Sequence, residues 1–320
     1  MAVAVPYLTA IRMLGRSYAG PMEPLTTHEQ ELRARLTHDV QVLAGEIGER
    51  NFLRSDALAK ASGWIDEQMR AAGYAVDKQR FEWDRGTFEN LAVERRGATQ
   101  PDQIVIIGAH YDSALGTPGA NDNASGVASM LALARAFASR PVARTLRFVA
   151  FVNEEPPYYY TDGMGSVRYA RRCRDHNENV VAMISLETMG CFSDEPNSQS
   201  YPAPGLEIAY PTTGNFIAFV GNLGSRRLVR EAVGRFRQHA RFPSEGAALP
   251  GWIPGVGWSD HWSFWKAGYP GVMVTDTAPF RYRHYHQAED TPDKVDTERL
   301  ARVVAGLEAV VAGLVSDDSR

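Results

Sequence analysis

Two spacings in this sequence bring metal-binding side chain types together. His110-Tyr111-Asp112 follows the apolar run Ile104 to Ile107. On extended backbone residues i and i+2 share a face, so the Asp112 carboxylate can accept the Nδ1 proton of His110 and leave Nε2 for a cation. Glu154-Glu155 comes directly after the apolar FVAFV. Adjacent anions leaving a core strand repel each other and lose hydration, a conflict that a bound cation resolves. Glu187 ends a third apolar segment, and His284-Tyr285-His286 follows a fourth, with either histidine of the HxH pair placed to chelate. Asp122 lies in GANDNASG, between the first strand and its helix, where an aspartate also serves as an ordinary N-cap. Imidazoles and carboxylates without a thiolate are the donor set of a hydrolytic metal site. Singly, each of these residues reads as a cap or a solvated group; what points to chemistry is their recurrence at successive strand ends. His28, His38, His176 and His239 lie among charged residues and read as surface positions, while His261 in SDHWSFW reads as packed and hydrogen-bonded.

The elements that must position these groups alternate. Ahead of the core come two helices, one with a Thr27/Gln30 capping pattern and one from about Asp56 with Leu58, Ala61, Ile65, Met69 and Ala72 on one face. Strand-like segments near 75–83 and 91–94 follow. Then strand and helix repeat: strand 104–107, helix 126–138, strand 146–152, helix 165–174, strand 180–186, strand 217–220, helix 226–239 and strand 271–274. A last helix sets Leu300, Val303, Val304, Leu307, Val311 and Leu314 on one stripe. The expected fold is α/β, a single domain with a mixed, mostly parallel central sheet flanked by helices, with its site at the carboxyl ends of the strands. Residues 1–25 read as an N-terminal arm, 26–318 as the domain, and 193–215, rich in Pro, Ser and Gly, as a surface insertion loop.

Composition narrows the function. The 320 residues are 44% hydrophobic and 22% charged with a net charge of −4, enough for a large core and without a basic block for nucleic acid or anionic membrane. No run approaches the ~20 apolar residues of a membrane span. The N-terminal MAVAVPYLTAI lacks a basic leader, which favours a cytoplasmic location, with secretion or the periplasm open if the true start lies elsewhere. Cys173 and Cys191 are too few for a disulfide framework. Peptide or small-molecule chemistry remains; the oligomeric state is not legible.

Six motifs in order, GAHYDS, GANDNASG, FVNEEPP with a later MGS, SLETMG, WSDHWSFWKAGYPGVMVTD and YHQAEDTPDKVD, make the chain resemble the co-catalytic zinc aminopeptidases of metallopeptidase clan MH, family M-28, over roughly Thr26 to Leu314. The resemblance implies two zinc ions in a cleft at the strand ends. By motif, His110 and Glu187 would hold one, Glu155 and His286 the other, and Asp122 would bridge them, with Asp112 behind His110 and Glu154 as general base. The family's last histidine stands four positions before the Asp of a DT pair, here Asp290-Thr291, which selects His286 over His284. Many members carry Asp where this chain has Glu187. Some place a tyrosine before SDH, where Val256 stands; others place it just before the last ligand, which is Tyr285, a donor to the oxyanion. Trp258 would wall an apolar pocket for the substrate's terminal side chain. The implied activity is removal of N-terminal residues from peptides. The alternatives are a glutaminyl cyclase-like acyltransferase with one zinc, a carboxypeptidase or dipeptidase using the same metals, and an inactive peptidase-like scaffold.

Overall fold

A computed structural model describes residues 11–84 and 86–317; the first ten residues of the expected arm and residue 318 of the expected domain lie outside them. Helix α1 (Thr27–Val40) runs on into a wider turn at Gln41–Ile47, and α2 spans Ser55–Ala71. The capping box sits one residue earlier than the Thr27/Gln30 reading. Thr26 is extended and its hydroxyl accepts the Glu29 N–H, while the Glu29 carboxylate accepts the Thr26 N–H at 2.8 Å. The sequence TTHEQ satisfies the pattern in two frames, and only backbone geometry selects one.

The remaining elements are β1 (Asp77–Trp83), β2 (Gly86–Arg95), β3 (Gln100–His110), α3 (Ser125–Phe137), β4 (Arg144–Phe151), α4 (Gly165–Asp175), β5 (Asn179–Glu187), the single turn α5 (Leu206–Ala209), β6 (Ile217–Asn222), α6 (Arg226–His239), β7 (Ser244–Leu249), α7 (His261–Lys266), β8 (Gly271–Thr275) and α8 (Thr297–Leu314). They form one eight-stranded sheet in the order β1-β2-β4-β3-β5-β8-β6-β7. Strands β4, β3, β5 and β8 run parallel, and β6 is parallel to β7. Antiparallel pairing joins β1 to β2, β2 to β4 and β6 to β8. The mixed sheet expected from the sequence is therefore present, and β8, late in the chain, sits between β5 and β6.

Alternation along β3 divides the core. Val105 and Ile107 face the larger cluster, which gathers residues of α1, α2, α3, α6 and α8, while Ile104 and Ile106 face the smaller one with Tyr169, Ala170 and Cys173 of α4 and Phe264 of α7. A strand buried on both faces reads as continuous apolar sequence, which is why this one was legible. The six α8 residues expected on one stripe are all buried. Strand β7 and helix α7 were not foreseen: SEGAAL lacks β-branched residues, and its strand geometry comes from pairing with β6. Residues 12–17 lie along α6 and β7, with the Arg12 carbonyl accepting from Arg230 and the Ser17 hydroxyl accepting the Ser244 N–H. Among the described residues no helix is long and apolar enough to cross a membrane.

Candidate metal centre

Because β3, β4, β5 and β8 are parallel, their carboxyl ends meet at one edge, and the polar residues singled out by spacing converge there. His110 ends β3 and Glu187 ends β5. Glu154 and Glu155 follow β4, and Asp122 stands in the turn before α3. His286 arrives from the loop after β8 in left-handed backbone (φ 57°), as do Asn153 before Glu154 and Thr188 after Glu187 (φ 60° and 46°). Left-handed conformation costs a non-glycine residue free energy, and such residues gather where function dictates side-chain direction.

The side chains meet at metal-ligand separations. His110 Nε2 lies 3.3 Å from Asp122 Oδ1, 3.3 Å from Glu187 Oε2 and 3.9 Å from Glu154 Oε2. His286 Nε2 lies 3.0 Å from Asp122 Oδ2 and 3.3 Å from Glu155 Oε2. Asp122 thus turns one oxygen to each histidine, and the trios His110/Asp122/Glu187 and Asp122/Glu155/His286 each bring three donor atoms within 4.8 Å of one another. His284 joins neither trio; its Nε2 accepts from Arg283, and its ring meets Tyr282 edge-on.

His110, Asp122, Glu154, Glu155 and Glu187 are all buried, yet both nitrogens of His110, Asp122 Oδ1, Glu155 Oε1 and His286 Nε2 have no hydrogen-bond partner among the described residues. Unpaired buried polar atoms are costly, and His110 Nε2, Asp122 Oδ1 and His286 Nε2 stand together between the carboxylates, which is what a cation-binding cluster looks like before the cation is counted. The electrostatics agree. Burial opposes charge on His110, but the Glu187 and Glu154 carboxylates outweigh it and hold its pKa well above the ordinary histidine value. For His286 burial is likewise overcome by Asp122 and Glu155, and the pKa rises to about 10. Burial and Asp122 push Glu155 up to about 7; burial, reinforced by Glu187, Glu155 and Asp260, pushes Glu154 well above its usual range. Against its own burial, Asp122 is held below the usual carboxylate range by the two histidines.

A second layer aims these groups. Asp112 lies 3.4 Å from His110 Nδ1, on the side the HxD spacing expects but without the hydrogen bond, and its two oxygens accept the N–H groups of Glu154 and Glu155 at 3.0 and 3.1 Å. Asp290 accepts the N–H groups of Asn121 and Asp122 and the Tyr282 hydroxyl. Asp290 therefore holds the turn that carries Asp122. Ser259 donates to Glu187 Oε2 at 2.7 Å.

Sequence reading missed Asp260. It is fully buried with both oxygens unpartnered, and burial, with repulsion from Glu187 and Asp112, raises its pKa to about 7. Its place in SDH was the available signal. His261 beside it is packed and bonded as expected, with Nε2 2.9 Å from the Val256 carbonyl and its ring edge-on to Trp265.

An apolar cleft of about 800 Å3, counting its open mouth, adjoins the cluster at Glu187 and Tyr285. Its floor is the strand face carrying Ala218, Val220, Ala247 and Met273, and Trp258 and Phe280 line it as well, stacked at 6.4 Å. The 193–215 stretch does more than run over the surface, since Tyr201, Leu206 and Tyr210 complete the lining. Tyr285 stacks on His286, ring centroids 3.9 Å apart.

A family model described as Peptidase family M28 matches residues 90–311. The uncharacterized protein YfbL of Escherichia coli is 34% identical over 281 residues, 85% of each chain. A probable zinc metalloprotease of Pyricularia oryzae is 28% identical over 84% of this chain, which spans only 62% of that protein's length. Among solved structures, BSAP, a zinc aminopeptidase from Bacillus subtilis, superposes with a TM-score of 0.69 at 16% identity, covering 90% of this chain and 96% of that one. A glutaminyl cyclase from Fimbriiglobus ruber superposes at 0.64 and 21% identity, covering 92% and 97%. At such identities the likeness is one of fold.

Proposed function

The chain belongs to peptidase family M28, a family of zinc metallopeptidases, and from that premise we propose that it is an aminopeptidase that holds two zinc ions and removes N-terminal residues from peptides. The observation that carries the reading is the pair of donor trios sharing Asp122, with their unpaired buried atoms. In this reading His110 and Glu187 would hold one ion and Glu155 and His286 the other, with Asp122 shared between them. Ions bound there would supply Lewis acidity, lowering the pKa of water and polarising the scissile carbonyl.

The chain's own groups do the rest. Glu154 lies outside the two Asp122-sharing trios, although its carboxylate also groups with His110 and Glu155, and in this reading it takes the proton of the attacking water and returns it to the leaving amine. The Tyr285 hydroxyl donates to the oxyanion of the tetrahedral intermediate, and the ring's stacking on His286 fixes its direction. The apolar cleft takes the side chain of the N-terminal residue, with Trp258 as one wall. The Bacillus subtilis zinc aminopeptidase, which has this fold, supports the same reading.

The likeness to a glutaminyl cyclase supports a second reading, an acyltransferase that uses one zinc and expels water. One experiment separates them: metal analysis of the loaded protein together with assay of peptides bearing N-terminal Leu or N-terminal Gln. Two zinc ions and release of free leucine are expected. One ion, with His110→Ala leaving it in place and pyroglutamyl product accumulating, would overturn the aminopeptidase reading.

A further inference from the structure

Arg50 is fully buried beside the segments that carry the cluster, and among the described residues it makes no ion pair. Its guanidinium is spent on carbonyls. Nε donates to Tyr111 O at 2.7 Å, Nη2 to Gly119 O at 2.9 Å, and Nη1 to Pro118 O, Gly48 O and Leu43 O at 2.5, 3.2 and 3.3 Å. Its backbone is tied to the same region: the Arg50 N–H donates to the Ser113 hydroxyl and the Arg50 carbonyl accepts the Ser113 N–H. That hydroxyl in turn donates to the Thr117 carbonyl.

Besides Leu43 and Gly48, which come just before Arg50 in the chain, these bonds fall on two segments. Tyr111 and Ser113 flank Asp112, whose carboxylate touches His110 and carries the backbone of Glu154 and Glu155. Pro118 and Gly119 lead into the turn that carries Asp122. Gly119 is left-handed (φ 63°), and a Cβ there would stand 2.3 Å from the Asp122 carbonyl and 2.6 Å from Ser113 Cβ, so that turn is packed without slack. A planar fork with five N–H groups spans both segments at once, which a lysine ammonium, a point donor, cannot do.

We propose that Arg50 is a positioning residue of the metal centre: its guanidinium sets the separation between the β3 end that carries His110 and the turn that carries Asp122, and so fixes the affinity of both zinc sites. It touches neither metal nor substrate. Its fixed positive charge also lies in the field of Asp112, Asp290, Asp122 and Glu155, offsetting part of the buried negative charge. The inference rests on the zinc reading of the cluster.

Arg50→Lys keeps the charge and removes the fork. Zinc affinity is measured by competition with a chelator of known affinity, alongside circular dichroism and the melting temperature of the metal-free protein. Arg135→Lys is the control, altering a partly buried Arg135–Asp39 ion pair (2.6 Å) at the end of α3 far from the Asp122 turn. Arg50→Lys is expected to weaken zinc about 10- to 100-fold, the usual effect of losing a group that orients ligands, with excess zinc restoring activity. Arg135→Lys is expected to lower the melting temperature and leave affinity alone. Unchanged affinity in Arg50→Lys, with only the melting temperature reduced, overturns the inference. Should Arg50→Lys fail to fold, Ser113→Ala decides: weaker zinc binding supports the role and unchanged binding overturns it. A wild-type chain that takes up no zinc overturns the metal reading and this inference together, whereas tight wild-type binding with an indifferent Arg50→Lys overturns this inference alone.

Discussion

Glu154 and Glu155 are neighbours of identical chemistry held by the same Asp112 carboxylate, yet they stand differently toward the histidines. Glu155 Oε2 is 3.3 Å from His286 Nε2, whereas Glu154 comes no nearer than 3.9 Å to His110. Their amide variants should therefore fail differently. Glu154→Gln should keep both metals by elemental analysis while turnover falls about 10²- to 10⁴-fold, the usual range for a lost general base. Glu155→Gln should lose metal together with activity, and excess zinc should restore part of it. Metal loss from the first and not the second would reverse the assignment. Tyr285→Phe removes one hydroxyl and leaves the stacking ring, so turnover should fall by about 10- to 1000-fold with metal content unchanged. Unaltered turnover would leave the oxyanion to other groups. The strand-end residues were readable from spacing because strand ends fix where a side chain points; their grouping into two trios sharing Asp122, with His286 rather than His284, was implied only by the family resemblance. Arg50 was not readable, since an arginine in GERNFLR, with Arg54 four residues on, looks like any solvated cation until tertiary structure closes three segments around it.

The elements differed in legibility for a physical reason. β3, β4 and β5 are apolar runs with Val, Ile and Phe, and their local preference agrees with their buried positions. β7, with Gly246, Ala247 and Ala248, has no such preference, and the stretch before it revealed no cleft because a cleft wall has no sequence period. Trp258→Ala, which opens one wall, should change the ranking of Ala, Leu and Phe substrates by kcat/KM; an unchanged ranking would make Trp258 packing alone. His261, the first residue of α7, offers a test of stability. Burial lowers its pKa to about 4, against 6.5 when unfolded, so it stays neutral in the fold. Below pH 6.5 the unfolded chain binds a proton that the folded chain refuses, and stability is lost as pH falls toward 4. Between pH 7 and 5 this amounts to about 2 kcal/mol. Urea midpoints of the metal-free protein should show that loss diminished in His261→Gln; equal acid sensitivity would contradict a neutral buried ring.

At the scale of the whole molecule the zinc reading joins parts remote in sequence, from His110 at the end of β3 to His286 beyond β8. Ions that bind only the folded state stabilise it in proportion to the logarithm of their excess over the dissociation constant. Chelation should therefore abolish hydrolysis and lower the melting temperature, with zinc restoring both; a melting temperature indifferent to chelator would argue that the acidic cluster is held without metal. The sheet order has another consequence, for synthesis on the ribosome. Because β8 lies between β5 and β6, the edge of β5 that β8 will cover emerges long before Gly271–Thr275 is translated. A nascent chain paused in that interval presents a bare apolar strand edge, the feature that invites pairing with a neighbouring polypeptide. Such a chain is the form of this protein most in need of a chaperone, and the synthesis of Gly271–Thr275 is what ends the exposure.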